Sequence, residues 1–202
     1  MCGFVFVFKK QVSYRQVIKL KFRMEKETIN PWYVLRTHFR ELPIRDALQA
    51  KGLVCFVPMQ YRTFIEEIED SAEIKDKELR IIVHGYVFVE KSKEEMQMRE
   101  IFSQLNEPFQ PIRNEDGSLY EVSATDMRDF RMLSDPHYTQ SIYVSRQRAD
   151  NLIGKNVEIT RGKFRGIQGK LTKIKGKYFF IKHVAGLGVM IHISRWYCRV
   201  LE

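Results

Sequence analysis

Gly154-Lys155-Asn156-Val157-Glu158-Ile159-Thr160-Arg161-Gly162-Lys163-Phe164-Arg165-Gly166-Ile167-Gln168-Gly169 is the stretch that decides the fold of the last quarter of the chain. Val157 and Ile159 alternate with polar residues, the period of a half-buried strand. Gly162 punctuates the stretch that follows. Gly166 and Gly169 stand where the chain must bend back into the next strand, either because φ must be positive or because a Cβ would clash. The same grammar continues to the end. Residues 171–174, 178–184, 189–193 and 197–201 read as strands, separated by turns at Lys175-Gly176-Lys177 and Ala185-Gly186-Leu187-Gly188. Several short strands in about fifty residues predict a small all-β barrel over 153–202.

Working outward, residues 134–151 are polar, contain Pro136 and lose periodicity, which predicts a linker over 137–152. Before it, residues 32–136 form a mixed unit. Trp32-Tyr33-Val34-Leu35-Arg36, opened by Pro31, reads as a buried strand. Leu42, Ile44, Ala47 and Leu48 recur at helical spacing, and Gly52 follows as a C-cap. Residues 53–61 read as a strand with Pro58 at an edge or bulge, 63–78 as an acidic loop or hairpin, and 79–90 as a strand region interrupted at His84-Gly85. Ser92 with Glu95 reads as a capping box for a helix to about Leu105. Residues 112–119 resemble a strand with a turn at Asn114-Glu115-Asp116-Gly117, and Ser123 caps a last helix carrying Met127, Phe130 and Leu133. This order is that of a split βαβ sandwich, with helices on one face of the sheet and the other face or an edge left for partners. The expected fold class is α+β, a ferredoxin- or RNP-like domain followed by an SH3-like barrel. Residues 1–31 form a basic extension (Lys9, Lys10, Arg15, Lys19, Lys21, Arg23). Two readings stay open: translation begins at Met24, or the segment is a genuine basic arm.

The charge is +9 from 34 Lys and Arg against 25 Asp and Glu, and it is unevenly spread. The middle is mildly acidic, densest from Glu66 to Asp70, whereas after Asp150 carboxylates remain only at Glu158 and Glu202. Such asymmetry implies domains with different partners, the basic one facing an anionic surface. The cysteines Cys2, Cys55 and Cys198 are too few and too scattered for a disulfide framework or a zinc site, which fits a reducing cytoplasm. No apolar run is long enough to cross a bilayer, so a cytoplasmic protein without membrane contact is expected. The five histidines lack ligand spacing, and no P-loop, nucleophile elbow or dinucleotide fingerprint occurs. The acidic run lacks the ordered oxygens and glycine of a calcium loop. Neither enzymatic activity nor a metal or cofactor is expected.

The stretch 154–169 resembles the KOW motif. Trp32-Tyr33-Val34-Leu35-Arg36-Thr37, Phe56-Val57-Pro58 and His84-Gly85-Tyr86-Val87-Phe88-Val89 resemble strands of the N-terminal domain of the NusG family, with His84 in place of that family's proline. The matches cover nearly all of 32–202 in the family's order, and the chain looks especially similar to the specialised paralogues of the UpxY and RfaH kind. The resemblance implies a monomeric transcription elongation and antitermination factor for long operons, such as those for capsular polysaccharide. A housekeeping NusG-type factor and a ribosome- or RNA-binding KOW protein are the alternatives. It implies that Trp32, Tyr33, Leu35, Pro58, His84, Tyr86 and Phe88 meet the clamp helices of the largest polymerase subunit. Alternation along a strand means that about half of these are packing residues, with Trp32 assigned to the core and His84 and Tyr86 to the surface. Arg36, His38, Arg40 and Arg45 are implied to lie near the non-template DNA strand, and Phe164, Ile167 and Leu187 near the barrel's partner, a ribosomal protein, a termination factor or RNA.

Overall fold

The computed structural model describes residues 30–68, 71–145 and 154–202, and among these the side chains outside 63–77. The basic extension, up to residue 29, and the side chains of the acidic run therefore lie outside the described residues.

The first module is built on β1 (Trp32–Thr37), a run of aromatic and β-branched residues suited to a central strand. It pairs antiparallel with β5 (Tyr86–Glu90) on one side and with β6 (Phe109–Pro111) and β7 (Glu121–Val122) on the other, while β2 (Cys55–Phe56) pairs with the outer edge of β5. Alternation divides the sheet's residues between two cores. Tyr33, Leu35, Val87 and Val89 pack with Ile44 and Leu48 of α1 (Glu41–Ala50) and with Met98 and Phe102 of α2 (Glu95–Ser103). Trp32, Val34 and Phe88 pack with Met127, Phe130 and Leu133 of α3 (Ala124–Leu133). Helices thus cover both faces, where the sequence reading placed them on one. The cause is legible in the side chains. A face bearing Trp32, Val34 and Phe88 is too apolar to be left in water, each ring being worth roughly 2–3 kcal/mol on burial, and the apolar stripe of α3 has the helical spacing to close it.

Helix ends follow local chemistry. Gly52 adopts φ +81° after α1, and its N–H donates to the Gln49 carbonyl at 2.9 Å while Leu53 N–H reaches Leu48 at 3.2 Å. Ser123 caps α3, its Oγ accepting from Asp126 N–H at 3.0 Å. The expected capping box at Ser92 does not form. The helix begins at Glu95 after the uncapped Glu94, so Glu95 is the first helical residue, not the third, and its carboxylate takes Arg99 one turn on and Leu119 N–H instead. The acidic stretch resolves as a hairpin of β3 (Met59–Ile68) and β4 (Ser71–Ile81), entered at Pro58, whose carbonyl accepts from Ile82 N–H. The expected strand at 112–119 is reduced to one bridge, Arg113 to Leu119, closing the Asn114–Gly117 turn.

The second module is an antiparallel six-stranded sheet in the order β13-β9-β10-β11-β12-β8. Its strands are β8 (Ile142–Ser145), β9 (Gly154–Ile159), β10 (Gln168–Ile174), β11 (Lys177–Val184), β12 (Leu187–His192) and β13 (Cys198–Val200). Val157, Ile159, Phe180, Val189 and Ile191 form its core. Gly166 has φ +89°, and a Cβ on Gly169 would stand 2.4 Å from the Ile181 carbonyl oxygen. Both reasons for glycine named from the sequence therefore operate, one at each position. β8 arises inside the stretch read as a linker and pairs with β12.

Candidate nucleic-acid edge beside the first strand

Three cross-strand pairs run along the α3 face of the sheet: Trp32 with Glu90, Val34 with Phe88, and Arg36 with Tyr86. The first two positions of β1 lie under α3, with the Arg131 guanidinium 5.5 Å over the Trp32 ring. The third pair continues the same face beyond that cover, so Arg36 is exposed and Tyr86 half-buried. Just past β1 the chain turns sharply. Phe39 adopts φ +58°, a conformation costly for a bulky L-residue, and presents a ring that is 77% exposed. Its centroid lies 5.3 Å from that of His84, the planes tilted by 44°.

Glu41, at the first turn of α1, fixes this corner from beneath. Although its side chain is buried, its carboxylate accepts from the Thr37 hydroxyl at 3.2 Å and from Gly85 N–H, and lies 3.8 Å from His84 Nδ1. Thr37 N–H donates to the Gly85 carbonyl at 3.0 Å. One buried acid thus ties the end of β1 to the His84-Gly85 turn and holds His84 against Phe39. The product is a shelf of two exposed rings flanked by Arg36 and His38. Rings stack on unpaired bases, and a guanidinium pairs with phosphate or a guanine edge.

The residues singled out from sequence divide cleanly. Arg36 and His38 stand at this corner and are exposed. Arg40 is held by Glu107 in a two-pronged pair at 2.9 and 3.0 Å, and Arg45 by Asp46. His84 and Tyr86 reach the surface, whereas Trp32, Tyr33, Leu35, Pro58 and Phe88 are buried. Four of them pack because β1 and β5 are central strands covered on both faces, and Pro58 packs at the entry to the β3–β4 hairpin. Phe39 was missed. Its signal was an aromatic between two basic residues, His38-Phe39-Arg40, directly before a helix, where the left-handed turn keeps the ring out of the core.

Phe164, Ile167 and Leu187 are also buried. Phe164 packs edge-on against Tyr138 at 5.1 Å, and Lys163 beside it bonds Asp135 at 2.7 Å, so this corner of the second module is seated on the segment leaving α3. A second tie lies on α3 itself. Lys182 of β11, nearly buried, reaches Asp126 at 2.8 Å and Asp129 at 3.1 Å. Burial alone would raise the Asp126 carboxyl, but hydrogen bonds from Lys182 and Ser123 outweigh it and hold the group below its ordinary value. Asp135 is lowered in the same way, the bond from Lys163 prevailing over burial. Burial pushes the Cys55 thiol up to about 12, against a smaller opposing pull from Arg45, which suits a packing role.

No helix among the described residues is long and apolar enough to cross a membrane. No curated protein matches the chain. Among solved structures, one titled for domain interaction in Thermotoga maritima NusG aligns at 15% identity and a TM-score of 0.45, covering 86% of this chain and 98% of that one. The family model described as transcription termination factor NusG matches residues 30–131, half of the chain, which takes in the two-faced sheet and its helices up to Arg131 in the last turn of α3. The chain therefore belongs to the NusG family.

Proposed function

We propose that this NusG-family transcription factor is a specialised elongation and antitermination factor of the UpxY and RfaH kind, acting on long operons such as those for capsular or other surface polysaccharide. Members of the family bind RNA polymerase, and in this reading the first module docks on the clamp helices of the largest subunit. The second module is a KOW barrel on a tether, reaching a ribosomal protein, a termination factor or RNA. The docking surface is the open end of the α3 face, Tyr86 with the half-buried Ile82, and His84 lies at its rim. Bridging the polymerase in this way disfavours the opened clamp and lowers the population of paused states. No covalent chemistry is required.

The observation that carries the specialised reading is Phe39. A strained backbone holding an exposed ring against His84, beside Arg36 and His38, is costly for folding alone and suited to catching an unpaired base. A factor that meets the displaced non-template strand there acquires sequence preference. The test is crosslinking of Phe39 variants to a non-template strand carrying photoreactive bases in assembled elongation complexes. Phe39→Ala should lose the crosslink while remaining on the polymerase; an unchanged crosslink would favour a housekeeping NusG-type factor.

The contacts at Tyr138 and Lys182 bear on the second module. Phe164 cannot touch an external partner while it packs on Tyr138. Engagement of a partner through that ring therefore requires this corner to lift from the segment after α3.

A further inference from the structure

On the second module, the 3₁₀ turn Arg195–Tyr197 ends in two exposed aromatics. Trp196 is 86% exposed and Tyr197 43%. The turn is fixed to the end of β9. Tyr197 N–H donates to the Ser194 carbonyl, and the Tyr197 carbonyl accepts from Thr160 N–H at 2.7 Å and from the Thr160 hydroxyl at 3.1 Å. Arg161 follows Thr160 directly. The Gly162–Gly166 turn then returns to the same point, Gly166 N–H donating to the Ile159 carbonyl at 2.7 Å, which brings Arg165 back to it. Arg161, Arg165 and Arg195 are all exposed. The one carboxylate in the strands of this module, Glu158, is already taken by Arg199 at 3.1 Å.

An indole this exposed gains nothing for the fold, and the turn that displays it is held by three hydrogen bonds. Three arginines that find no neutralising acid among the described residues call for an anion, and two flat rings call for flat apolar groups carried on it. A single-stranded polynucleotide offers both at once, phosphates for the guanidinia and bases for the rings. A folded acidic protein offers only the charge, and in duplex form the bases are stacked on one another. We infer that Trp196 and Tyr197, with Arg161, Arg165 and Arg195, form a stacking platform for single-stranded RNA, the strand that transcription releases. The inference deepens the reading above by naming the partner chemistry of one corner of the second module, whose exposed arginines flank the buried Phe164 without using its ring, and it rests on that reading only for the choice of RNA over DNA.

The test uses the full-length chain and a twelve-residue oligouridylate. The protein has two tryptophans, and Trp32 is fully buried, so intrinsic fluorescence responsive to added RNA reports on Trp196. The expected result is quenching on titration of the parent, and, read for both proteins by the anisotropy of a dye-labelled oligouridylate, about tenfold or weaker binding in Trp196→Ala. With three phosphate contacts, log affinity should fall against log salt with a slope of about −2, becoming shallower in Arg161→Gln. Melting of Trp196→Ala should match the parent, since the ring is exposed. Absent quenching, undiminished binding by Trp196→Ala, or tighter binding of oligodeoxyuridylate or duplex would each overturn the assignment. Polymerase is absent from this assay, so its outcome is separate from that of polymerase docking.

Discussion

The two ends of β1 carry the same kind of residue to opposite uses. At the start, Trp32 and Val34 lie under α3 with Phe88 across from Val34. At the finish, Arg36 stands opposite Tyr86 beyond the helix, and Phe39 with His84 rises beside it. What separates the two ends is cover. Arg131 of α3 lies over Trp32 while Arg36 is exposed, and the positive φ at Phe39 turns the chain before its ring can fold inward. Aromatic content therefore does not mark which end of this strand stays open; the reach of the covering helix does.

That contrast predicts stabilities of very different size. Phe88→Ala empties a site packed against Phe56 and Phe130 and should cost about 3–5 kcal/mol in denaturant unfolding. Phe39→Ala, the same chemical change at the other end, should stay within about 0.5 kcal/mol. Comparable losses at the two positions would erase the distinction between sealed and open ends.

The seat of the second module is the next test. Lys182→Met leaves Asp129 buried with only Arg128 beside it and should destabilise the contact by about 1–3 kcal/mol, read as faster amide exchange along α3 and β11. Acid should act in the same direction. Asp126 and Asp135 titrate below their ordinary value of 3.8 in the folded chain. Their contribution is therefore present above that value and is lost as pH falls through it toward the lowered folded values. Proton-linked loosening should appear below about pH 4 and be weaker in a Lys182→Met, Lys163→Met double variant. A small effect of definite sign is expected at the strained corner itself. Phe39→Gly relieves the left-handed backbone and should change stability by no more than about 1 kcal/mol, in the favourable direction, while removing the ring that the non-template strand would meet.

Much of this was legible in the order of residues. The alternation at Val157 and Ile159, and the glycines at 166 and 169, stated their own structural reasons, and the strand–helix order of the first module could be read from periodicity. The placement of α3 was not legible. Its apolar stripe fits either face of a sheet, and only the demand of Trp32, Val34 and Phe88 for cover decides between them. The same gap misdirected the site. Strand alternation says that half of a run faces inward, but both halves of β1 are buried when both faces are covered. Phe39 and Trp196 escaped notice because exposure of an aromatic depends on backbone turns that leave no periodic trace. The Ser92 capping box failed for a local reason, a helix start displaced to Glu95, where an ion pair one turn on was available.

The account turns on the open end of the α3 face meeting polymerase, and co-purification tests it most directly. The tagged chain and its Tyr86→Ala variant would be recovered from cells producing the native polymerase, with melting curves recorded for both. The account predicts that the parent retains polymerase and that the variant, folded and melting close to the parent, loses most of it. Polymerase missing from the parent, or retained in full by the variant, would contradict it.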